Sequence, residues 1–116
     1  MNMPTEPNEQ VLVIEPYQVK NPMLFMTFNR PDETSKVFEQ IRKVRPEKLY
    51  LSSDGARKNV ETDERNVERT REVLANIDWP CEVKHLFQDT NQGCKDGCSA
   101  AITWFFENEE QGIVLE

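Results

Sequence analysis

Two cysteines and a histidine are the side chains of this sequence with the clearest metal-binding chemistry. Cys94 and Cys98 stand four positions apart on a predicted helix, and His85 lies on the predicted strand before it. A structural zinc site takes four ligands, and this spacing is not that of a usual zinc knuckle. We therefore interpret Cys94 and Cys98 as core or half-exposed thiols and His85 as a strand residue.

The phosphate-binding motifs of common nucleotide enzymes are absent from the sequence. The turn after the first predicted strand reads TFNRPDET and contains no glycine, so it is neither a G-x-G-x-x-G turn nor a P-loop. No serine stands in a G-x-S-x-G elbow, which argues against an α/β-hydrolase. The chemistry of the chain must therefore come from other polar residues.

Polar residues at the ends of the predicted strands are the remaining candidates. Asn29-Arg30, Asp54-Gly55, Asp89-Thr90-Asn91 and Glu116 each follow an apolar run. In a parallel sheet the carboxyl ends of all strands lie on one edge, and this edge is where such sheets bind ligands. We therefore expect these segments to open on the same side of the molecule.

Four short apolar runs predict the strands that place these residues: MLFMTF, KLYLSSDGA, EVKHLF and GIVLE. Helical spacing of apolar residues predicts a helix between successive strands, the first beginning at Pro31 and ending near Val44, before Pro46. Units of strand and helix that repeat about every 30 residues imply parallel strands joined by right-handed crossovers. The predicted fold class is α/β, a Rossmann-like three-layer arrangement with a mostly parallel sheet of about four strands.

Apolar stripes predict which faces of the second and third helices are buried. The predicted inner stripes are Val67, Thr70, Leu74 and Ile77 on the second helix, and Cys98, Ala101, Ile102 and Phe105 on the third. The other face of the second helix carries ETDER and ERTRE, and we expect that face to be solvated.

The domain organisation follows from the same pattern. Residues 1–20 read as a polar arm with a possible edge strand, VLVIEPYQV, in which Pro16 denies a ladder hydrogen bond. Residues 21–116 form the predicted α/β domain. A domain seldom ends on an apparently central strand, so we expect this one to be truncated at Glu116 and to self-associate through the truncated edge.

Composition and charge exclude several classes of partner. Lys plus Arg number 14 against 21 Asp plus Glu, a formal net charge of −7, which disfavours general binding to nucleic acid or anionic membranes. No apolar run approaches the roughly 18 residues of a membrane span. Three cysteines, an odd number, without an amino-terminal signal sequence predict free thiols in a reducing cytoplasm.

Three segments resemble a known family: NPMLFMTFNRPDET, KLYLSSDGA and TNQGCKDGCSAAITWFFENEEQGIVLE. Together they resemble the amino-terminal, donor-binding half of a nucleotide-diphospho-sugar transferase, a family-2-like glycosyltransferase of the GT-A fold. In that family the first strand ends in a Tyr/Phe-Asn-Arg-Pro turn and the second in an Asp-Gly turn. The third helix follows Asn-x-Gly-x-Arg/Lys, and the fourth strand runs into a Glu-Asp-Asp or Asp-x-Asp element.

The resemblance implies a nucleotide site, with UDP as the preferred base carrier by family habit, in an enzyme that builds surface polysaccharide or glycolipid. It implies that Thr27, Phe28 and Asn29 shape the base pocket and that Asp54, followed by Gly55, accepts a hydrogen bond from the base or ribose. A plain turn at these last two positions is the competing interpretation.

The same resemblance implies phosphate contacts. Asn91, Gly93 and Lys95 stand at a helix start, where free N–H groups and a cation would meet a diphosphate, although a plain cap and loop would need no ligand. Arg30 would serve phosphate or cap its turn.

The resemblance places Glu116 at the first position of the acidic element, which holds Mg²⁺ or Mn²⁺ in the family. The two aspartates that would follow it do not occur in this sequence. We therefore expect the chain as it stands to bind no metal and to transfer no sugar.

Two alternatives remain open at this point. One is a non-catalytic α/β interaction domain whose partner uses the acidic helix between Glu61 and Glu72. The other is a nucleotidyltransferase-like domain, but such proteins carry a glycine-rich, basic loop after the first strand, and TFNRPDET is not one.

Overall fold

The computed structural model describes residues 18–116. Of the predicted lead-in strand, only Gln18 and Val19 fall within this range, and the rest of that segment and the predicted arm before it lie outside the described residues. Val19 donates its backbone N–H to the Val44 carbonyl at 3.0 Å and accepts one from Glu47 at 3.1 Å. These bonds attach the start of the described chain beside the end of the first helix.

Strands and helices alternate along the described chain as the sequence predicts. The elements are β1 (Met23–Thr27), α1 (Pro31–Val44), β2 (Lys48–Ser53), α2 (Asp63–Leu74), β3 (Glu82–Phe87), α3 (Cys94–Asn108) and β4 (Ile113–Leu115). Helix α1 begins at its predicted proline and ends as predicted, with Arg45 in a left-handed conformation (φ 52°) just before Pro46.

The four strands form one sheet in the order β3-β2-β1-β4, and every neighbouring pair is parallel. The chain steps from β1 outward through β2 to β3 and then returns to place β4 on the other side of β1. Three helices and an all-parallel sheet confirm the predicted α/β, Rossmann-like three-layer fold.

Side chains alternate between the two faces of the sheet and bury a core on each. Phe25 and Leu51 pack beneath α1 and α2 with Phe38, while Tyr50 on the other face packs against Phe105 of α3. Because helices cover both faces of the sheet, side chains on both faces are apolar, and the strand sequences are continuous apolar runs. The molecule therefore has three layers, with the sheet between two layers of helices.

Three features of the predicted helix faces are wrong. Ile77, predicted to lie on the inner stripe of the second helix, is not on that helix, because α2 ends at Leu74. Ile102, predicted to lie on the inner stripe of α3, is exposed, whereas Ala101 and Phe105 are buried. On α2 the ETDER and ERTRE segments are not uniformly solvated, because Asp63 is 1% exposed and Arg71 is half-buried. Both residues make tertiary contacts with strand ends.

A polar cluster anchors the carboxyl end of α3 at the amino edge of the sheet. The Tyr50 hydroxyl donates to Glu109 Oε2 at 2.6 Å, and Lys48 Nζ donates to the same oxygen at 3.0 Å. Burial and this hydrogen bond raise the pKa of Tyr50, and the bond from Tyr50 lowers the pKa of Glu109 despite its desolvation. The carboxylate is therefore ionised in the folded protein at neutral pH.

None of the helices in residues 18–116 is both long enough and apolar enough to cross a membrane.

Candidate functional site

A cleft of about 830 Å³ opens at the carboxyl edge of the sheet. It extends over the ends of β1 and β2, reaches the first turn of α3, and includes Glu116 after β4. The strand order changes direction between β1 and β4, because β2 lies on one side of β1 and β4 lies on the other. Open α/β sheets bind ligands at such a topological switch point. The predicted binding edge and the observed cleft therefore coincide.

Most of the predicted site residues meet in this cleft. Its lining includes Thr27, Phe28, Asn29, Arg30, Asp54, Asn91, Gly93 and Glu116. The other two predicted residues, Gly55 and Lys95, do not line it. Gly55 lies against the backbone of Thr90, where an added Cβ would stand 2.5 Å from the carbonyl carbon, and Lys95 is exposed on α3.

Asp54 joins the end of β2 to the loop before α3. Its Oδ1 accepts the backbone N–H groups of Gly55 and Gln92, both at 2.8 Å, and Oδ2 accepts the Asn91 side-chain amide at 3.2 Å. The same amide donates to the Gly55 carbonyl at 2.9 Å. Asp54 is thus a structural junction, and Oδ2 keeps capacity for one further donor.

The carboxylate of Asp54 also lies at the amino end of α3. A Cβ added at Gly97, in the first turn of that helix, would stand 3.2 Å from Asp54 Oδ2. Gly93, which precedes the helix, has φ 88°, a conformation that favours glycine. A negative charge from the protein itself therefore occupies the positive end of the α3 dipole.

A second polar cluster, not foreseen from the sequence, lies at the end of β1. Asp63 of α2 accepts Arg57 Nε at 2.6 Å and Arg57 Nη2 at 2.9 Å, and the Asn29 side-chain amide donates to Asp63 Oδ1 at 2.9 Å. The Arg57 backbone N–H adds a bond of 3.1 Å to Asp63 Oδ2. Hydrogen bonding from Arg57 holds the pKa of Asp63 well below its usual range although burial opposes that shift.

This cluster also shapes the cleft wall. The Arg57 guanidinium lies 5.5 Å from the centre of the Phe28 ring, and both residues line the cleft. The sequence holds a weak signal for the pair, because Asp63 stands in the first turn of a helix and Arg57 six residues before it. Charge alone did not reveal that the two would be packed together.

Arg71 of α2 braces the ends of β2 and β3. Its Nε donates to the Ser53 hydroxyl at 2.8 Å, and its Nη2 donates to the carbonyl of Gln88 at 2.7 Å. The guanidinium also lies 4.8 Å from the centre of the Phe87 ring. Desolvation lowers the pKa of Arg71. The brace holds the strand ends that carry Asp54.

Comparison with known proteins leaves the family of this chain open. No family model, curated protein or solved structure matches it. The fold is established by the topology of the sheet, and the function must be argued from the cleft.

The described residues do not assemble a metal centre. Within residues 18–116 no group of three or more His, Cys, Asp or Glu side chains is placed to hold a metal ion. Glu116 lies beside Cys98, with its Oε2 3.9 Å from Cys98 Sγ, and burial raises the pKa of that thiol. Mg²⁺ and Mn²⁺ prefer several oxygen ligands, and this carboxylate with a thiol does not fit either ion.

All three cysteines are free thiols. Cys94 and Cys98 line the cleft, whereas Cys81 is half-buried beside the core beneath α1 and α2. His85 is exposed on β3 and meets the Phe87 ring edge to face, with 5.0 Å between ring centres. The cleft thus offers aromatic, amide, carboxylate and guanidinium groups, a set suited to holding a polar, partly planar ligand.

Proposed function

We propose that this chain is the donor-binding domain of a glycosyltransferase and that its cleft holds the nucleoside diphosphate of a nucleotide-sugar, with UDP preferred. One observation carries the proposal: Phe28, Asn29 and Asp54, which come from the ends of two strands, line a single cleft at the reversal of strand order. The sequence resemblance assigned base-binding roles to the same three residues.

The groups at this edge match the needs of a nucleoside. Phe28 offers an aromatic face of the kind on which a base stacks. Asp54 Oδ2 accepts one amide hydrogen bond and can take a second from a base N–H or a ribose hydroxyl. The surrounding bonds fix this carboxylate before any ligand arrives, so binding requires little reorganisation.

The size of the cleft supports the same proposal. Small-molecule sites have volumes of roughly 300 to 1,000 Å³, and the cleft measures about 830 Å³. A nucleoside diphosphate with an attached sugar is an elongated ligand of that class. The cleft lies open along the edge of the sheet, which would leave the sugar accessible to an acceptor.

The resemblance implies a divalent cation at the diphosphate, and the present residues do not fit one. We therefore expect nucleotide binding by this chain to depend little on Mn²⁺. We also expect no sugar transfer by this chain alone.

Calorimetric titration of the chain with UDP, GDP and CMP, each with and without Mn²⁺, tests the proposal. We expect one nucleotide to bind, with little change on adding Mn²⁺. Phe28→Leu removes the aromatic face while keeping an apolar side chain, and Asp54→Ala removes the acceptor. Each substitution should weaken binding by about tenfold, the effect of one lost stacking or charged hydrogen-bond contact.

Asp96→Ala is the matched control, because Asp96 is exposed on α3 and does not line the cleft. Thermal unfolding of each variant, measured in parallel, separates lost contact from lost fold. Absence of binding by all three nucleotides would overturn the proposal for this chain and favour an interaction domain.

A further inference from the structure

The phosphate groups of the proposed ligand need a cationic side chain to bind them, and few cationic side chains line the cleft. Among its lining residues in the described part of the chain, the basic ones are Arg30 and Arg57. Lys95, which the resemblance places at the diphosphate, is exposed outside the lining.

The amino end of α3 is a poor place for the phosphates. Asp54 already accepts the Gln92 backbone N–H there at 2.8 Å and lies against Gly97. A diphosphate at the same helix end would therefore meet a like charge at short range, which opposes binding in a partly buried cleft. The other carboxylates that line the cleft are those of Glu33 and Glu116. At Arg57 itself, the carboxylate in contact is that of Asp63, which is already paired with the guanidinium.

The Arg57 guanidinium is only half used by the protein. A guanidinium has five N–H donors, and Asp63 takes one from Nε and one from Nη2. Three donors remain on Nη1 and Nη2, and no hydrogen bond within residues 18–116 uses Nη1. Those donors form a second edge of the planar fork, the geometry that binds phosphate oxygens in pairs.

The free edge is held in place and remains accessible. Asp63 is 1% exposed, whereas the Arg57 side chain is 48% exposed. Phe28 lies beside the guanidinium, with 5.5 Å from Cζ to the ring centre. The hydrogen bonding of Arg57 to Asp63, in which the guanidinium donates, raises the pKa of Arg57, so the group stays cationic at every pH of interest.

We propose that Arg57 binds the phosphate groups of the nucleotide through the free Nη1–Nη2 edge of its guanidinium, while Asp63 holds the opposite edge. This inference rests on the proposed function for the identity of the ligand. The anion site itself depends only on Arg57, Asp63 and Phe28.

Titration with UDP, uridine and inorganic pyrophosphate tests this inference. Arg57→Lys keeps a cation for Asp63 but removes the fork, and Arg57→Gln removes the charge. We expect both variants to bind UDP and pyrophosphate with an affinity lower by on the order of tenfold to a hundredfold, as for a lost charged hydrogen-bond pair. The affinity for uridine, which has no phosphate, should change less than twofold.

Arg65→Gln is the matched control, because Arg65 is exposed on α2 outside the cleft and its replacement makes the same change in net charge. Should Arg57→Gln fail to fold, Arg57→Lys alone carries the comparison, with thermal unfolding as the check.

The possible outcomes separate the two proposals. Loss of pyrophosphate binding in the Arg57 variants supports the inference even if the wild-type chain binds none of UDP, GDP and CMP, a result that would overturn only the proposed function. Equal UDP affinity in wild type and Arg57→Lys overturns the inference and leaves the proposed function standing. An equal loss of affinity for uridine and UDP also overturns it, because Arg57 would then contact the base. A wild-type chain that binds neither pyrophosphate nor any of the three nucleotides overturns both proposals.

Discussion

Asp63 is almost completely buried, yet its carboxylate holds the guanidinium of the half-exposed Arg57 along one edge, at 2.6 and 2.9 Å. The charge of Asp63 is compensated by groups from two other parts of the chain, Arg57 after β2 and Asn29 after β1. The start of α2 is thus attached to two strand ends by one carboxylate.

Replacement of Asp63 should be costly. Asp63→Ala leaves the Asn29 amide and the Arg57 backbone N–H without their acceptor, and we expect a loss of about 2 to 3 kcal/mol in the free energy of unfolding. Urea denaturation measures it. Glu64→Ala is the control, since Glu64 is the next residue of the same helical turn and is exposed, and it should change stability by less than about 0.5 kcal/mol. Equal effects of the two substitutions would contradict the structural role of Asp63.

The same carboxylate predicts a pH dependence of stability. The folded-state pKa of Asp63 is lowered by Arg57, so its ionised form stabilises the fold fully above the ordinary aspartate pKa of about 3.9. That stabilisation is lost as the pH falls below this value toward the lowered pKa. Urea unfolding of wild type and Asp63→Asn between pH 7 and pH 2 should show a difference that shrinks below about pH 4.

Glu109 also makes the fold less stable as the pH falls, because its pKa is lowered too. Since Glu109 is present in both proteins, the difference in unfolding free energy between wild type and Asp63→Asn isolates the effect of Asp63. A difference that stays constant down to pH 2 would show that Asp63 does not titrate with the fold.

The brace made by Arg71 should be necessary for the strand ends. Arg71→Met removes donors from the Ser53 hydroxyl and the Gln88 carbonyl, and we expect a loss of about 2 kcal/mol in unfolding free energy. The matched substitution Arg69→Met changes an exposed neighbour on α2. Differential scanning calorimetry compares the two, and unchanged melting of Arg71→Met would refute the brace.

A substitution at Gly55 should affect the site more than its fold. An alanine there places Cβ 2.5 Å from the Thr90 carbonyl carbon, so the loop that carries Asn91 must move and its bond to Asp54 must lengthen. We expect Gly55→Ala to bind UDP more weakly than Gly93→Ala does, since no atom lies within 4 Å of a Cβ added at Gly93. Gly93→Ala should cost about 1 kcal/mol of stability through its positive φ. Calorimetric titration and thermal unfolding of both variants test the contrast.

The polar cluster at the other edge of the sheet offers the converse test. Tyr50→Phe removes the hydroxyl that donates to Glu109 at 2.6 Å, and we expect a loss of about 1 to 2 kcal/mol in unfolding free energy. Nucleotide affinity should not change, because Glu109 lies beyond the end of α3 that is remote from the cleft. Glu107→Ala, at an exposed position near the same helix end, is the control. A fall in affinity in Tyr50→Phe would show that the two edges are coupled.

The sequence predicted the elements well because each carries a local signal. The signals are local in the sequence: a proline marks the start of α1, and a short apolar run marks β1. The alternation of strands with helices follows from such signals. Placement of Asn29, Asp54 and Asn91 on one edge then followed from parallel topology alone.

Long-range pairings were beyond such reasoning. Asp63 and Arg71 belong to charged segments with the composition of a solvated helix face, and their burial depends on which strand ends approach α2 in three dimensions. Lys95 has the right residue type for phosphate, but it is exposed on α3 and does not line the cleft. Rotation of a helix about its axis is set by packing, as the exposed Ile102 also shows.

The order of the strands has a consequence for how the molecule is assembled. β1 lies between β2 and β4, and its pairing of Met23 with Ile113 joins positions about ninety residues apart. During synthesis the three strands β1 to β3 can associate as soon as they emerge, but one side of β1 keeps its backbone hydrogen-bonding groups unpaired until β4 follows. Closure of so long a loop is slow compared with local pairing. The nascent sheet therefore exposes an unpaired strand edge to other chains until β4 docks.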